Sequence, residues 1–199
     1  LAGDPTVAGA AVEQRYLALL AALKARVSLP VSIKLSPFFS ALPHFVSRAE
    51  AAGAAGVSLF NRFFQPEIDL DTLAVAHRVQ LSTPADALLT MRWIALLHGR
   101  TSLSLAATGG VHGPPEAIKM LLAGADVVHL ASALLQRGPD ALKETLAGME
   151  AWMEQREYAS VGQLKGSLSQ SKQADPGAFA RAAYLDTLDA FTPPPGVRY

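Results

Sequence analysis

The chain reads Leu-Ser-Leu-Ala-Ala-Thr-Gly-Gly-Val from Leu103 to Val111, and Leu-Leu-Ala-Gly-Ala-Asp-Val-Val-His-Leu-Ala-Ser-Ala from Leu121 to Ala133. In each stretch a short apolar run ends in small residues, which is typical of a buried strand followed by a tight turn. The segment from Glu116 to Leu122, which joins the two strands, predicts a helix. This order of strand, helix, strand and helix favours a parallel α/β sheet.

The two predicted turns share features that suit phosphate binding. Gly109 and Gly110 lack a Cβ, so backbone N–H groups at this turn can approach a ligand closely. The N-terminus of the following helix is expected to add donors and the positive end of a dipole. Ala131 and Ser132 repeat the turn with a hydroxyl group. Two neighbouring turns of this kind hold phosphate after strands 7 and 8 of many (β/α)8 barrels.

The number of strand–helix units predicts half of such a barrel. Four units begin near residues 30, 57, 103 and 127, whereas a closed barrel needs eight units and typically about 250 residues. An open Rossmann-like sheet is the other fold that this alternation allows, but the glycine pattern is not G-x-G-x-x-G. The barrel half is therefore the better interpretation, and its interior is expected to be apolar and open.

Three further segments complete the organisation of the chain. Residues 63–82 interrupt the alternation, and their spaced apolar residues predict an excursion with hairpin character. The run Thr83-Pro84-Ala85-Asp86 predicts a helix start, with threonine as N-cap, proline in the first position and an acid in the first turn. Residues 1–157 are assigned to the barrel half. Residues 158–199 are assigned to a helical tail, with helices near 161–165 and 175–190.

Composition excludes several classes of function. The chain has 199 residues with 17 basic and 17 acidic side chains, so its charge gives no reason to expect binding to nucleic acid or an acidic membrane. It has no cysteine, which excludes disulfides, thiolate metal sites and a cysteine nucleophile. No carboxylates and histidines show metal-ligand spacing. These features fit a cytoplasmic protein that binds a small molecule.

The ends of the chain also carry an expectation. No apolar run reaches the length of about 18 residues that a membrane span needs. The first residues lack the basic and apolar regions of a secretory signal, and the chain does not begin with methionine. We expect that it is part of a longer protein.

Five motifs in order resemble the dihydroorotate dehydrogenases. They are Ile33–Pro37, Phe60–Asn61, Ala107–Val111, Leu121–Asp126 and Tyr158–Gly166. The similarity is closest to the class 1 enzymes and to a bacterial dihydroorotate dehydrogenase-like branch. It implies an FMN-binding (β/α)8 barrel, of which this chain holds strands 5 to 8.

The resemblance implies roles for seven residues. Lys34 would stabilise the negative charge on the reduced flavin, although a surface lysine is the plainer interpretation. Asn61 would hydrogen-bond the amide-like groups of the substrate. Arg62 replaces a small hydroxyl residue of the pyrimidine-forming enzymes, and its cation suits a carboxylate or indicates another substrate. The FMN phosphate would be held by Gly109, Gly110, Ala131 and Ser132.

The same resemblance implies that this chain is not a complete catalyst. The general base of the family, a cysteine or serine after strand 4, has no counterpart in the sequence. The activity implied is oxidation of dihydroorotate to orotate in pyrimidine biosynthesis, or a related CH–CH oxidation. We expect the chain to form a homodimer or to need its N-terminal half. Two alternatives stay open: a non-catalytic FMN- or phosphate-binding half barrel, and a flavin-free phosphate-binding barrel enzyme in which Lys34 forms a Schiff base.

Overall fold

The computed structural model describes residues 3–62, 65–76 and 78–173. In chain order the strands are β1 (Ser32–Leu35), β2 (Gly56–Leu59), β3 (Glu67–Asp69), β4 (Ala74–Ala76), β5 (Ser104–Thr108) and β6 (Val127–His129). The helices are α1 (Gly9–Lys24), α2 (Leu42–Ala51), α3 (Ala87–Leu97), α4 (Pro114–Ala123), α5 (Ser132–Arg137), α6 (Asp140–Gln155) and α7 (Val161–Leu164). Single 3₁₀ turns lie at Pro84–Asp86 and Gln170–Lys172.

Four of the strands form one parallel sheet in the order β1-β2-β5-β6. Their register pairs Lys34 with Ser58, Ser58 with Ala106, and Ala106 with Val127. Helices follow the strands and connect neighbours in the sheet, as expected for successive crossovers. The prediction of four parallel strand–helix units is confirmed.

The two faces of the sheet differ in chemistry because side chains alternate along each strand. One face packs on the helices through residues that include Leu35, Leu59 and Leu105, all buried. The alternate positions form the opposite face, and they are Ser32, Lys34, Gly56, Ser58, Ser104, Ala106, Thr108, Val127 and His129. The expectation of an apolar open interior is wrong: Val127 is the one large aliphatic residue on this face of the described strands.

An aromatic cluster attaches α1 to the rest of the chain. The ring of Phe45 lies 5.7 Å from Tyr16 and 4.6 Å from Phe39 between centroids. Glu13 adds an ion pair with Arg48 of α2 at 2.6 Å. The apolar face of α1 is only partly covered, since Leu20 is its one fully buried residue.

Residues 65–82 form the predicted excursion. β3 and β4 pair antiparallel, and Ile68 faces Val75 across the hairpin. The Asp69 carboxylate accepts hydrogen bonds from the N–H groups of Asp71 and Thr72, both at 3.0 Å, and so fixes the turn. The hairpin character is confirmed, although each strand has only three residues.

The described part of the tail, residues 158–173, packs on α4. The N–H groups of Gly166 and Leu168 donate to the carbonyl groups of Leu121 and Leu122, at 2.9 and 3.0 Å. Lys165 pairs with Asp126 at 2.7 Å. The helix predicted near 175–190 lies outside the described residues. Among those residues, no helix is both long and apolar enough to cross a membrane.

Candidate functional site

A cleft of about 380 Å³ opens at the edge of the sheet where the parallel strands have their carboxyl ends. Open α/β sheets bind their ligands outside this edge. The walls come from the ends of β1, β2 and β5, from the segment after β4, and from the start of α3. The lining residues are Pro37, Phe38, Phe60, Asn61, Arg62, Gln65, Arg78, Gln80, Ser82, Asp86, Leu89, Thr90, Thr108 and Gly109.

The end of β2 holds Asn61 and Arg62 at the cleft. The N–H of Asn61 donates to the carbonyl of Leu35 at 2.6 Å, so the backbone pairing of β1 and β2 continues one step beyond the strands. The N–H of Phe60 donates to the carbonyl of Thr108 on the other side, at 3.4 Å. Both polar side chains are exposed, and neither has a hydrogen-bond partner in the described ranges. The backbone is therefore fixed while the two side chains stay available to a ligand.

Lys34 lies on the uncovered face of the sheet. Its neighbours Ile33 and Leu35 pack against the helix-covered core, and Lys34 is exposed beside Ser58 of β2. Its ammonium group forms no ion pair within the part of the chain that the structure describes. Lys34 is not among the residues that line the cleft.

Gly109 and Gly110 both have positive φ angles, +97° and +74°, but they meet different surroundings. A Cβ on Gly109 would meet no atom within 4 Å, and Gly109 lines the cleft. A Cβ on Gly110 would lie 2.8 Å from the Cα of Ala87 at the start of α3. Gly110 therefore permits close packing inside the protein, whereas Gly109 leaves open space at the site.

The helix behind this turn offers fewer donors than the sequence interpretation assumed. α4 begins with Pro114 and Pro115 after Gly113, and proline has no backbone N–H. The expected donors at its first two positions are missing. Donors at this turn must come from residues 109–113 instead.

Ser82 joins the two turns. Its N–H and its hydroxyl both donate to the hydroxyl oxygen of Ser132, at 3.0 and 2.7 Å. The Nε2 of His112 lies 2.6 Å from the Ser82 carbonyl. The buried Ser82 also lines the cleft, so the turn after β5, the turn after β6 and the cleft wall share one residue.

Asp86 is the carboxylate of the cleft. The N–H and the hydroxyl of Thr83 donate to it, at 2.6 and 3.0 Å. The Thr83 N–H is the main reason that the pKa of Asp86 is lowered; the hydroxyl and the charges of Arg62 and His112 act in the same direction, and burial opposes them. The Asp86 carboxylate is therefore ionised at neutral pH, and its hydrogen bonds from Thr83 fix the start of α3.

Sequence reasoning missed a set of cleft residues that come from the excursion and the start of α3. They are Gln65, Arg78, Gln80, Ser82 and Asp86. Arg78 pairs with Asp69 of the hairpin at 3.3 Å. The local patterns in this region are the spaced apolar residues of the hairpin and the helix start at Thr83, and neither indicates a role in the cleft. Nothing in the sequence indicates that Ser82 contacts Ser132, fifty positions later.

Together these features define a parallel α/β protein with a small-molecule cleft at the carboxyl edge, beside two small-residue turns. A family model described as dihydroorotate dehydrogenase matches residues 6–153. The chain belongs to the dihydroorotate dehydrogenase family, and the resemblance drawn from the motifs is confirmed.

Individual relatives give the extent of the similarity. The dihydroorotate dehydrogenase A (fumarate) of Lactiplantibacillus plantarum is 34% identical over 150 residues, which cover 74% of this chain and 49% of that protein. The catalytic subunit of dihydroorotate dehydrogenase B (NAD(+)) of Pelobacter propionicus is 30% identical over 168 residues, 83% of this chain and 52% of that protein. The chain spans about half the length of the curated relatives it matches.

Proposed function

We propose that the chain is the C-terminal part of an FMN-dependent oxidoreductase that oxidises dihydroorotate to orotate or performs a related CH–CH oxidation. The observation that carries this proposal is the meeting of the Gly109 turn, the Ser132 turn and the cleft at Ser82. A phosphate-bearing cofactor and a small substrate can then bind side by side, which such an oxidation requires.

The residues at this edge fit FMN. Gly109 leaves open space where any other residue would place a Cβ, as a phosphate cradle needs. Gly56, Ser58 and Ala106 are small residues on the sheet face that carries Lys34, and small residues there would suit a planar ring lying against the sheet. When bound, FMN would accept the hydride that leaves the substrate.

The chain's own residues take distinct parts in this proposal. Lys34, exposed on the same face as Ser58, would stabilise negative charge on the reduced ring. Asn61 would donate to and accept from the amide groups of the substrate. Asp86 is a poor general base because its pKa is lowered and its carboxylate already accepts two hydrogen bonds from Thr83. We infer that the base comes from outside this chain.

The uncovered face of the sheet supports the half-barrel interpretation. β1 and β6 are edge strands among the described residues, and the face they border is polar and built of small residues. A barrel lumen that holds a cofactor has this character. We infer that strands of an N-terminal half cover this face in the active protein.

A non-catalytic FMN-binding module is the second candidate, because no described residue in the cleft offers a base. The two candidates agree on FMN binding and differ in turnover. Adding dihydroorotate to FMN-loaded protein in which the N-terminal half has been restored, and following flavin absorbance, distinguishes them: bleaching indicates hydride transfer, whereas a constant spectrum favours the binding module.

An FMN titration followed by flavin fluorescence tests the phosphate site. We expect saturable binding and a clear preference for FMN over riboflavin, which lacks the phosphate. The Gly109→Asp variant should bind FMN at least about tenfold more weakly, because it adds a negative charge beside the phosphate. Equal affinity for FMN and riboflavin would contradict the proposal.

Gly138→Asp is the matched control for this titration. Gly138 also has a positive φ, +74°, and a Cβ there would meet nothing within 4 Å. It lies at the C-terminal end of α5 and does not line the cleft. The control adds the same charge at another glycine of positive φ, outside the cleft lining, so it should bind FMN like the native chain. Circular dichroism checks that both variants are folded.

A further inference from the structure

We propose that Arg62 selects the ligand of the cleft by charge, by pairing with a carboxylate group of the substrate. The inference rests on the proposed function, since it concerns the substrate side of the same site. It makes Arg62 a specificity-determining residue and restricts the substrate to small carboxylic acids that also carry amide-like groups.

Arg62 forms no ion pair or side-chain hydrogen bond within residues 3–62, 65–76 and 78–173. Its exposed side chain lines the cleft directly after β2. Arg78, the other arginine in the lining, is held by Asp69 at 3.3 Å. Of these two cations, Arg62 is the one whose donors are available to a ligand.

The carboxylate of Asp86, which also lines the cleft, does not form an ion pair with Arg62. Arg62 lies close enough to Asp86 for their charges to interact. The Asp86 Oδ2 atom is taken by the N–H and hydroxyl of Thr83, at 2.6 and 3.0 Å. Asp86 therefore helps to orient the cation without consuming its hydrogen bonds.

Apart from Arg62, Arg78 and Asp86, the polar residues that line the cleft are neutral. Asn61, Gln65 and Gln80 offer amide groups, and Ser82 and Thr108 offer hydroxyl groups. Such groups recognise the N–H and C=O groups of amides without selecting for charge. Selection for a negative group is left to Arg62, and the planar guanidinium fork matches a carboxylate with two parallel hydrogen bonds.

Calorimetric titration of FMN-loaded protein with orotate and with orotamide, its uncharged carboxamide, tests the inference. We expect Arg62→Gln to weaken orotate binding roughly 10- to 100-fold, the range typical of a charge-assisted hydrogen bond. Orotamide binding should change by less than about threefold, because it lacks the charge that Arg62 reads. Arg62→Lys should fall between, since lysine keeps the charge but not the fork.

Arg92→Gln is the matched control, because it removes an equal charge from the exposed surface of α3, outside the cleft lining. It should change orotate affinity by less than about threefold, as expected for an exposed cation away from the ligand. If Arg62→Gln weakens orotate and orotamide equally, or weakens neither, the inference is wrong. It is also wrong if the native protein binds orotate no better than orotamide.

The FMN titration of each variant separates this result from the proposed function. A native protein that binds no FMN, but that shows an Arg62-dependent preference for orotate when the calorimetric titration is repeated without FMN, would refute the flavin and keep the carboxylate site. Normal FMN binding with no preference for orotate would refute the carboxylate site alone.

Discussion

Gly110 packs against the start of α3, whereas its neighbour Gly109 faces open space at the cleft. Substitution of each by alanine should reveal this difference. Gly110→Ala should destabilise the protein by about 2–4 kcal/mol, because it adds backbone strain and a clash with the backbone of Ala87. Gly109→Ala should cost only the strain, about 1–2 kcal/mol. Urea unfolding of both variants measures these values. Equal losses would contradict the assignment of Gly110 to packing against α3.

At the scale of single residues, the sequence predicts which residues follow the ends of strands. Asn61, Arg62 and Gly109 each follow an apolar run, and parallel strands bring their ends to one edge, so their meeting at the cleft follows from the pattern. Arg78 and Ser82 could not be found in this way. Their places depend on contacts between distant parts of the chain, such as that of Ser82 with Ser132, and no local pattern encodes such contacts.

At the scale of elements, the start of α3 depends on Asp86. Asp86→Ala removes the two hydrogen bonds from Thr83 and should lower the free energy of unfolding by about 1 kcal/mol at pH 7, as for other losses at helix starts. The pKa of Asp86 is lowered in the folded state, so its contribution is present above the unfolded value of 3.8 and is lost as the pH falls through the folded pKa. Urea unfolding at pH 7 and near pH 3 should therefore show a difference between native and variant that shrinks at the lower pH.

Asp140→Ala is the control for this effect. Asp140 also lies in the first turn of a helix, α6. Among the described residues it forms one ion pair, with Lys143 at 3.4 Å, and the side chains of Asp140 and Lys143 are both exposed. Its loss should be smaller than that of Asp86. An Asp86→Ala variant that is as stable as the native chain at pH 7 would show that Thr83 and Asp86 do not hold α3.

Element positions were largely predictable because apolar runs are bounded by glycine and proline. The strand expected near residue 103 lies at Ser104–Thr108, and the helix expected from Glu116 to Leu122 runs from Pro114 to Ala123. The sequence could not predict features that depend on tertiary packing, such as which apolar residues are buried and how long a strand pairing is. The periodicity of α1 does not reveal that Leu19 stays 63% exposed, and alternation in the excursion does not reveal that only three residue pairs form the hairpin.

At the scale of the whole molecule, two surfaces of the described residues differ in chemistry: the sheet face that carries Lys34 and His129, and the β3–β4 hairpin. The sheet face carries serine, lysine and histidine and gives little reason for apolar association. The hairpin has exposed apolar side chains at Ile68, Leu70, Leu73 and Val75. Leu73 is also held at a φ of +49°, a conformation that disfavours leucine. We infer that the hairpin, rather than the sheet face, drives association of the chain with itself.

Sedimentation velocity over a range of concentrations tests this inference. We expect the native chain to self-associate, and a Leu70→Ser, Leu73→Asn double variant to raise the dissociation constant at least about tenfold, because each buried leucine contributes about 1.5–3 kcal/mol. Asparagine tolerates positive φ, so the variant should fold at least as well as the native chain. Leu135, 74% exposed on α5, provides the control, and Leu135→Ser should leave association unchanged. A native chain that stays monomeric would contradict the inference. If the double variant and Leu135→Ser weaken association equally, general surface hydrophobicity rather than the hairpin drives it.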